Sequence, residues 1–226
     1  MKFMRTIVVI PAHNEEQTVS LAVSEARKYA DEVIVIDDGS QDATGLRASG
    51  AGANVLRHAI NRGQGAALRT GIRAALMRGA DIIVTFDADL QQDASDIPSL
   101  IAPIAGGIAE VALGSRFIGS AVSMPAGRKI LLHLAVFFTR LTTGLKITDT
   151  HNGFRSFSRR AASRIKITQD RFAHASEILS EISRLNLAYR EVPVTVNYSP
   201  YSLGKGQRSG GAIKIMLDLI RGDLFR

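Results

Sequence analysis

Thr6-Ile-Val-Val-Ile-Pro-Ala-His-Asn-Glu-Glu16 runs from a β-branched stretch straight into polar residues, with the break at Pro11. An uninterrupted apolar run of this kind is expected of a strand buried on both faces. From Glu15 to about Tyr29 the period changes: Val19, Ala22, Val23 and Ala26 recur at helical spacing. The same unit then repeats. Glu32-Val-Ile-Val-Ile36 reads as a second strand, ended by the turn cluster Asp37-Asp38-Gly39-Ser40, with a short helix after Asp42. Ala53 to Arg57 reads as a third strand and residues 63–78 as a helix with a small-residue face. Asp81 to Phe86 reads as a fourth strand, broken by Asp87 and Asp89. Alternation of this type predicts an α/β fold, a mostly parallel sheet covered by helices. Such sheets bind ligands beyond the carboxyl ends of their strands, which is where residues 11–16, 37–40 and 87–93 fall.

The second half is less regular. Glu110 to Gly114 reads as a strand, and Arg128 to about Thr143 as an apolar-rich helix. The segment between Arg116 and Arg128, with Gly119, Pro125 and Gly127, reads as a loop. Gly153 to Ser158 is expected to be a short strand, 173–186 a helix, Ala188 to Val196 a strand and Gly211 to Phe225 a closing amphipathic helix. The 226 residues fit one domain. The absence of cysteine excludes disulfides, cysteine-ligated zinc and a thiol nucleophile. The first residues lack the pattern of a signal peptide. No window approaches the ~20 apolar residues of a membrane span; the longest, Ile130 to Phe138, is interrupted by His133. Net charge is +7, from 28 Lys and Arg less 21 Asp and Glu, which suits anionic partners or simply a basic surface.

Asp87-Ala88-Asp89 leaves a hydrophobic strand directly. A bend there lets both carboxylates approach one cation, and hard oxygen ligands suit Mg²⁺ or Mn²⁺; Gln91 and Asp93 extend the polar run. A solvated turn with capping acids is the plain alternative. Asp37 and Asp38 read equally well as an Asx-type turn and as contacts to a nucleotide. Asn61-Arg-Gly-Gln-Gly65 lacks the third glycine and the position of a dinucleotide fingerprint. Its helix start favours an anion, and close packing explains its glycines as well. Arg116 and Arg128 are candidates to hold phosphate oxygens. No serine nucleophile elbow occurs. Pro11-Ala-His-Asn14 stands where a nucleotidyltransferase would carry a Gly-rich basic loop. No RNA-binding motif is found, so nucleic acid is not an expected partner.

Taken in order, Val8 to Glu16, Asp37 to Ser40, Asn61 to Gly65, Asp87 to Gln91, Gly114 to Arg116 and Asp149 to Arg155 resemble the motif series of family 2 glycosyltransferases with the GT-A fold. Among these the chain most resembles the polyprenol (dolichyl) phosphate sugar synthases, and the resemblance covers essentially its whole length. It implies a single GT-A domain, with a nucleotide-sugar and metal half over about 1–115 and an acceptor half over about 116–226. Pro11, Ala12, His13, Asn14 and Glu15, with Asp37 and Asp38, would frame the nucleotide, and Gly65 and Ala88 would join the donor site. Asp87, Asp89 and Gln91 would bind Mg²⁺ or Mn²⁺. Arg116 and Arg128 would steady donor or acceptor phosphates, and Asp149 and Asn152 would line the acceptor side, with Lys205 and Arg208 supplying further positive charge. Asp89, Arg116, Arg128, Asp149 and Glu177 would form the catalytic set. Glu177 is a general base if the acceptor is a hydroxyl, and structural if it is a phosphate.

The implied reaction is an inverting transfer from a UDP- or GDP-linked sugar to polyprenyl phosphate. A sugar hydroxyl of a lipid-linked or surface-polysaccharide acceptor is the alternative. The C-terminal loop, Tyr201-Ser-Leu-Gly-Lys-Gly-Gln-Arg208, departs from the synthases and resembles a bacterial polysaccharide-assembly subgroup. A non-catalytic nucleotide-sugar-binding module is the reading from another class. A lipid acceptor implies a cytoplasmic protein peripheral at the membrane face. The Arg128–Lys146 and Lys214–Arg226 segments mix apolar and basic residues as interfacial helices do. For most of these residues the apolar face is expected to be core or a homodimer contact. A small membrane partner subunit is the other route to the lipid.

Overall fold

The computed structural model describes residues 4–171 and 173–199. Seven strands form one sheet in the order β3-β2-β1-β4-β6-β5-β7. They are β1 (Thr6–Ala12), β2 (Glu32–Asp37), β3 (Asn54–Arg57), β4 (Ile82–Thr85), β5 (Val111–Val122), β6 (Arg155–Ser158) and β7 (Tyr189–Asn197). Only β6 is reversed; it pairs antiparallel with both β4 and β5, and the other pairs are parallel.

Strand alternation divides the core between the two faces of the sheet. Val8, Ile10, Val33 and Val35 pack with α1 (Val19–Ala26) and α4 (Ile97–Ala105). Ile7, Val9, Ile34 and Ile36 pack on the other face, with α3 (Gln64–Met77), α6 (Arg159–Arg164) and α7 (His174–Arg184). Because both faces are covered, these strands are apolar on both faces through residues 7–10 and 33–36, which is why they were legible as runs. Helix α3 lies so close to the sheet that a Cβ on Gly71 would fall 2.2 Å from Val9 Cγ1. Two further helices complete the chain order, α2 (Thr44–Gly50) and α5 (Ala126–Thr143).

Two expectations change. Residues 116–122 are not a loop: β5 continues to Val122, with a register shift between Ser115 and Ser120, because β7 pairs along its whole length. Gly119 serves this crossing, since a Cβ there would stand 2.3 Å from the Val194 carbonyl oxygen. Helix α5 then starts at Ala126 and contains Arg128. Its apolar surface is also not mainly core. Leu132, Val136 and Thr139 are buried, while Ile130, Leu134, Phe137 and Leu141 lie exposed on the opposite side. The predicted helix 211–225, Lys205 and Arg208 lie outside the described residues.

Candidate active site

The carboxyl ends of β1, β2 and β4 meet at one edge of the sheet. Reversal of β6 brings the loop that precedes it, residues 149–154, to the same edge. The first two loops are stitched together. Asp38 N–H donates to the Ala12 carbonyl at 2.8 Å, Asn14 N–H to Ser40 Oγ at 3.0 Å, Gln41 N–H to Asn14 Oδ1 at 2.9 Å and Glu15 N–H to Thr44 Oγ1 at 2.8 Å. Asn14 has a left-handed backbone (φ 54°) that turns the chain out of β1. Together they wall a cleft of about 730 Å³ whose lining includes His13, Asn14, Ser40, Arg57, Ile60 and Asn61.

Asp37 and Asp38 lie beneath this cleft, both buried. Asp37 Oδ1 accepts from Ser40 N–H at 2.9 Å, and Oδ2 lies 3.5 Å from Arg57 Nε with no hydrogen bond. Asp38 accepts from the backbone N–H groups of Arg62 and Gly63 and sits 2.6 Å from His58 Nδ1. It therefore pins the 61–63 loop against the β2 end. Gly39 makes this approach possible: its φ is +68°, and a Cβ would fall 2.6 Å from the Asn61 nitrogen. Gly65 resolves toward close packing. Its Cβ would stand 2.0 Å from the Gln169 carbonyl oxygen, and Ala66 N–H already donates to the Asp170 carbonyl at 3.1 Å.

At the end of β4, Asp87 is gripped by two neutral amides. Gln64 Nε2 donates to Oδ1 at 3.0 Å and Gln92 Nε2 to Oδ2 at 2.6 Å, while Gln92 Oε1 accepts Asp87 N–H at 3.0 Å. Ala88 is buried behind them. Leu90, left-handed at φ 61°, folds the run back. The Gln91 backbone then bonds Asp89 Oδ1 at 3.1 Å and Asn197 N–H at 2.7 Å. Burial, and then repulsion from Asp89, push Asp87 up to about 7; Arg155 and Arg116 oppose this. The opposite wall is Gly153, where a Cβ would come 2.9 Å from Asp87 Oδ2.

This carboxylate pair has the character of a hard-cation site: two hard-oxygen side chains at a strand end whose mutual repulsion a divalent ion would relieve. Among the described residues no group of three or more His, Cys, Asp or Glu gathers. Two carboxylates would be a small ligand set, of the kind Mg²⁺ commonly accepts when phosphate oxygens and water complete its shell.

The residues expected on the acceptor side form a buried network. Asp149 accepts from Arg116 Nε at 2.6 Å and from its backbone N–H at 3.1 Å, and Arg116 Nη1 reaches the Tyr198 hydroxyl. Arg128 stacks over the Tyr198 ring at 5.2 Å. Arg155, also buried, donates to the carbonyls of Asn152, Thr150 and Ala175 and ties the 150–152 turn to α7. Burial lowers it to about 10, so it stays charged at neutral pH. Asn152 Oδ1 accepts from Phe154 N–H, while its Nδ2 is buried with no hydrogen-bond partner among the described residues. Glu177 points elsewhere: its carboxylate accepts from the backbone N–H groups of Thr168 and Gln169. Gln64, Gln92, Arg155 and Tyr198 were missed as site residues. Gln92 stood next to Gln91 in the polar run; Tyr198 carried no local signal.

A mostly parallel sheet carrying one reversed strand, with acidic residues at the carboxyl ends of β2 and β4, has the GT-A glycosyltransferase fold. The glucosyl-3-phosphoglycerate synthase of Mycobacterium tuberculosis, solved with Mn²⁺, UDP-glucose and phosphoglyceric acid, superposes with a TM-score of 0.71. The match covers 89% of this chain and 75% of that one at 23% identity, a likeness of fold. The chain belongs to glycosyl transferase family 2, whose family model matches residues 7–166. Along nearly its whole length it is 32% identical to the UDP-N-acetylglucosamine–dolichyl-phosphate N-acetylglucosaminyltransferase of Methanococcus voltae, covering 94% of each chain. It is 29% identical to the undecaprenyl-phosphate mannosyltransferase of Micrococcus luteus, covering 93% of this chain and 90% of that one. An uncharacterized protein of Methanocaldococcus jannaschii, MJ1222, is 35% identical over 96% of this chain and 92% of its own.

Proposed function

We propose that this glycosyltransferase moves a sugar from a nucleotide diphosphate sugar to polyprenyl phosphate, inverting the anomeric carbon, in one domain with a donor half and an acceptor half. The observation that carries the reading is the repelling Asp87–Asp89 pair at the end of β4, on the same sheet edge as the β1 and β2 loops. The names of the full-length relatives support the acceptor class. The His13–Asn14 wall takes the nucleotide, and Asp37 and Asp38 hold that wall in shape. Asp87 and Asp89 would hold a divalent cation, which would supply positive charge at the leaving diphosphate; Gln91, fixed through its backbone, is a third candidate ligand. Arg128 is the arginine that faces phosphate, and Arg116 acts through Asp149 and Tyr198 as a positioning residue. The protein works peripherally at a membrane surface.

A hydroxyl acceptor needs a base, whereas a phosphate acceptor arrives ionised. With its carboxylate committed to Thr168 and Gln169, Glu177 favours the phosphate reading. Glu177→Gln is therefore expected to keep turnover within about tenfold of wild type, because loss of a general base costs ~10²–10⁴-fold. A well-folded variant that loses more than about a hundredfold would transfer the assignment to the hydroxyl acceptor.

The test of donor binding is a thermal melt with UDP, GDP and their sugars, in Mn²⁺, Mg²⁺ or EDTA. At a hundredfold excess over Kd a ligand stabilises by ~2.7 kcal/mol, about 5–10 °C for a chain of this size. The expected result is such a shift with one nucleotide, abolished by EDTA. A folded protein that shifts with none of them contradicts the proposal.

A further inference from the structure

The segment from His58 to Gln64 leads from β3 into α3 and touches two parts of the site. Ala59, Ile60 and Asn61 line the cleft beside the β1 and β2 loops. Gln64, at the far end, grips Asp87. Residues 59–62 are exposed and belong to no strand or helix, so their own contacts do little to fix their shape. The bonds that fix it come from beneath. The Asp38 carboxylate accepts from the backbone N–H groups of Arg62 at 3.0 Å and Gly63 at 2.6 Å, and the Asp38 carbonyl lies 3.0 Å from His13 Nδ1.

His58 supplies the remaining bond to that carboxylate. Its side chain is 11% exposed, with Nδ1 2.6 Å from Asp38 Oδ1 and Nε2 2.9 Å from Thr70 Oγ1. A carboxylate that already takes two backbone donors is an acceptor, so Nδ1 carries a hydrogen and donates it. Thr70 stands in the second turn of α3, whose inner face packs on the sheet. The imidazole therefore bridges a side chain at the end of β2 to a packed helix, and the 59–63 loop hangs from the carboxylate at the middle of that bridge.

We infer that His58 is a positioning residue of the donor site: by bridging Asp38 to Thr70 it holds the 59–63 loop in the shape that receives the nucleotide. The inference deepens the nucleotide-sugar reading of the cleft and rests on it. Without the ring, Asp38 keeps its two backbone donors, but nothing ties them to α3 and the loop samples other shapes. A ligand that fits one shape loses apparent affinity in proportion to the fraction of molecules that leave it. The loss falls on binding. Once the donor is seated the loop has its working shape, so turnover at saturation changes less than donor KM.

The experiment is calorimetric titration of UDP and GDP in Mn²⁺ into wild type, His58→Leu, Thr70→Val and the double variant, below their melting temperatures. For the nucleotide that binds wild type, His58→Leu is expected to raise Kd at least ~10-fold and Thr70→Val at least ~3-fold. The double variant is expected to match His58→Leu alone, because the bond that Thr70→Val removes is already gone. With polyprenyl phosphate as acceptor, His58→Leu should raise donor KM by the same factor while kcat falls less than about threefold. A residue that serves only the fold would lower the melting point and leave Kd unmoved, and that result in folded His58→Leu overturns the inference. Independent, multiplying losses in the double variant overturn it as well, as does a fall in kcat with KM unchanged. If His58→Leu does not fold, Thr70→Val, which leaves the bond to Asp38 in place, carries the test, and an unchanged Kd there is decisive against the bridge. A wild type that binds neither nucleotide overturns the donor reading and this inference with it, whereas tight wild-type binding that His58→Leu and Thr70→Val share overturns this inference alone.

Discussion

Asp89→Asn is expected to lower the transfer rate by about 10³-fold or more without weakening the fold. Positive charge on a leaving diphosphate is worth several kcal/mol at the transition state, and each ~1.4 kcal/mol is a factor of ten. Asparagine keeps the shape at position 89 and removes the second carboxylate. In the unliganded protein that carboxylate is a burden: with burial, it raises Asp87 to about 7. A folded carboxyl whose pKa lies above its unfolded value loses stability as pH climbs from about 4 to 7, so relieving the repulsion firms the fold at neutral pH. The unliganded variant should melt at the wild-type temperature or a few degrees above it, and should no longer respond to metal and nucleotide together. Initial rates and melting curves on the same samples check both halves. Turnover within tenfold of wild type would remove Asp89 from the chemistry.

Arg116→Met is expected to destabilise the protein by about 3–5 kcal/mol, because it strands a buried charge. The Arg116 and Asp149 side chains are 5% and 0% exposed, and they meet at 2.6 Å. Methionine fills most of the arginine's stem and leaves Asp149 with only the backbone N–H groups of residues 116 and 151. At about 2–4 °C per kcal/mol the melting point should fall by roughly 6–20 °C. Adding Asp149→Leu should recover much of that loss, since removing both members of a buried pair costs less than removing one. Turnover should fall in both variants, because Tyr198, and through it Arg128, lose a partner. A melting point for Arg116→Met within 2 °C of wild type would mean that the pair contributes little to the fold.

The strands of the first half were legible because a sheet covered on both faces demands apolar residues along its strands, and two of the runs end abruptly in acid, at Ile36-Asp37 and Phe86-Asp87. The direction of β6 was not. Four residues, Arg155–Ser158, carry no sign of whether they run with or against Val84 and Ala112, and that reversal brings Gly153 to Asp87. The acidic turn was legible as chemistry but not as contacts. Leu90 in a left-handed conformation breaks the phase of the polar run, so that Gln92 reaches Asp87. Helix α4 was hidden by Pro98 and Pro103. The sequence marked α5 as apolar-rich but not which of its apolar residues would be buried. The bond from Arg116 to Tyr198 spans 82 residues and leaves no local pattern. The roles of Lys205 and Arg208 stay with the sequence, since both lie outside the described residues.

Both side chains that grip Asp87 are amides. An amide aims a carboxylate without bringing an opposite charge: the two oxygens are fixed in direction, and the ionised form keeps its attraction for a cation. A lysine at position 64 or 92 would orient Asp87 as firmly and would also neutralise it, leaving little attraction for a divalent ion. The glutamines therefore separate two properties that a cationic partner would merge, the direction of the ligand and its charge. A site built this way is held in place while its charge is left for a bound cation to balance.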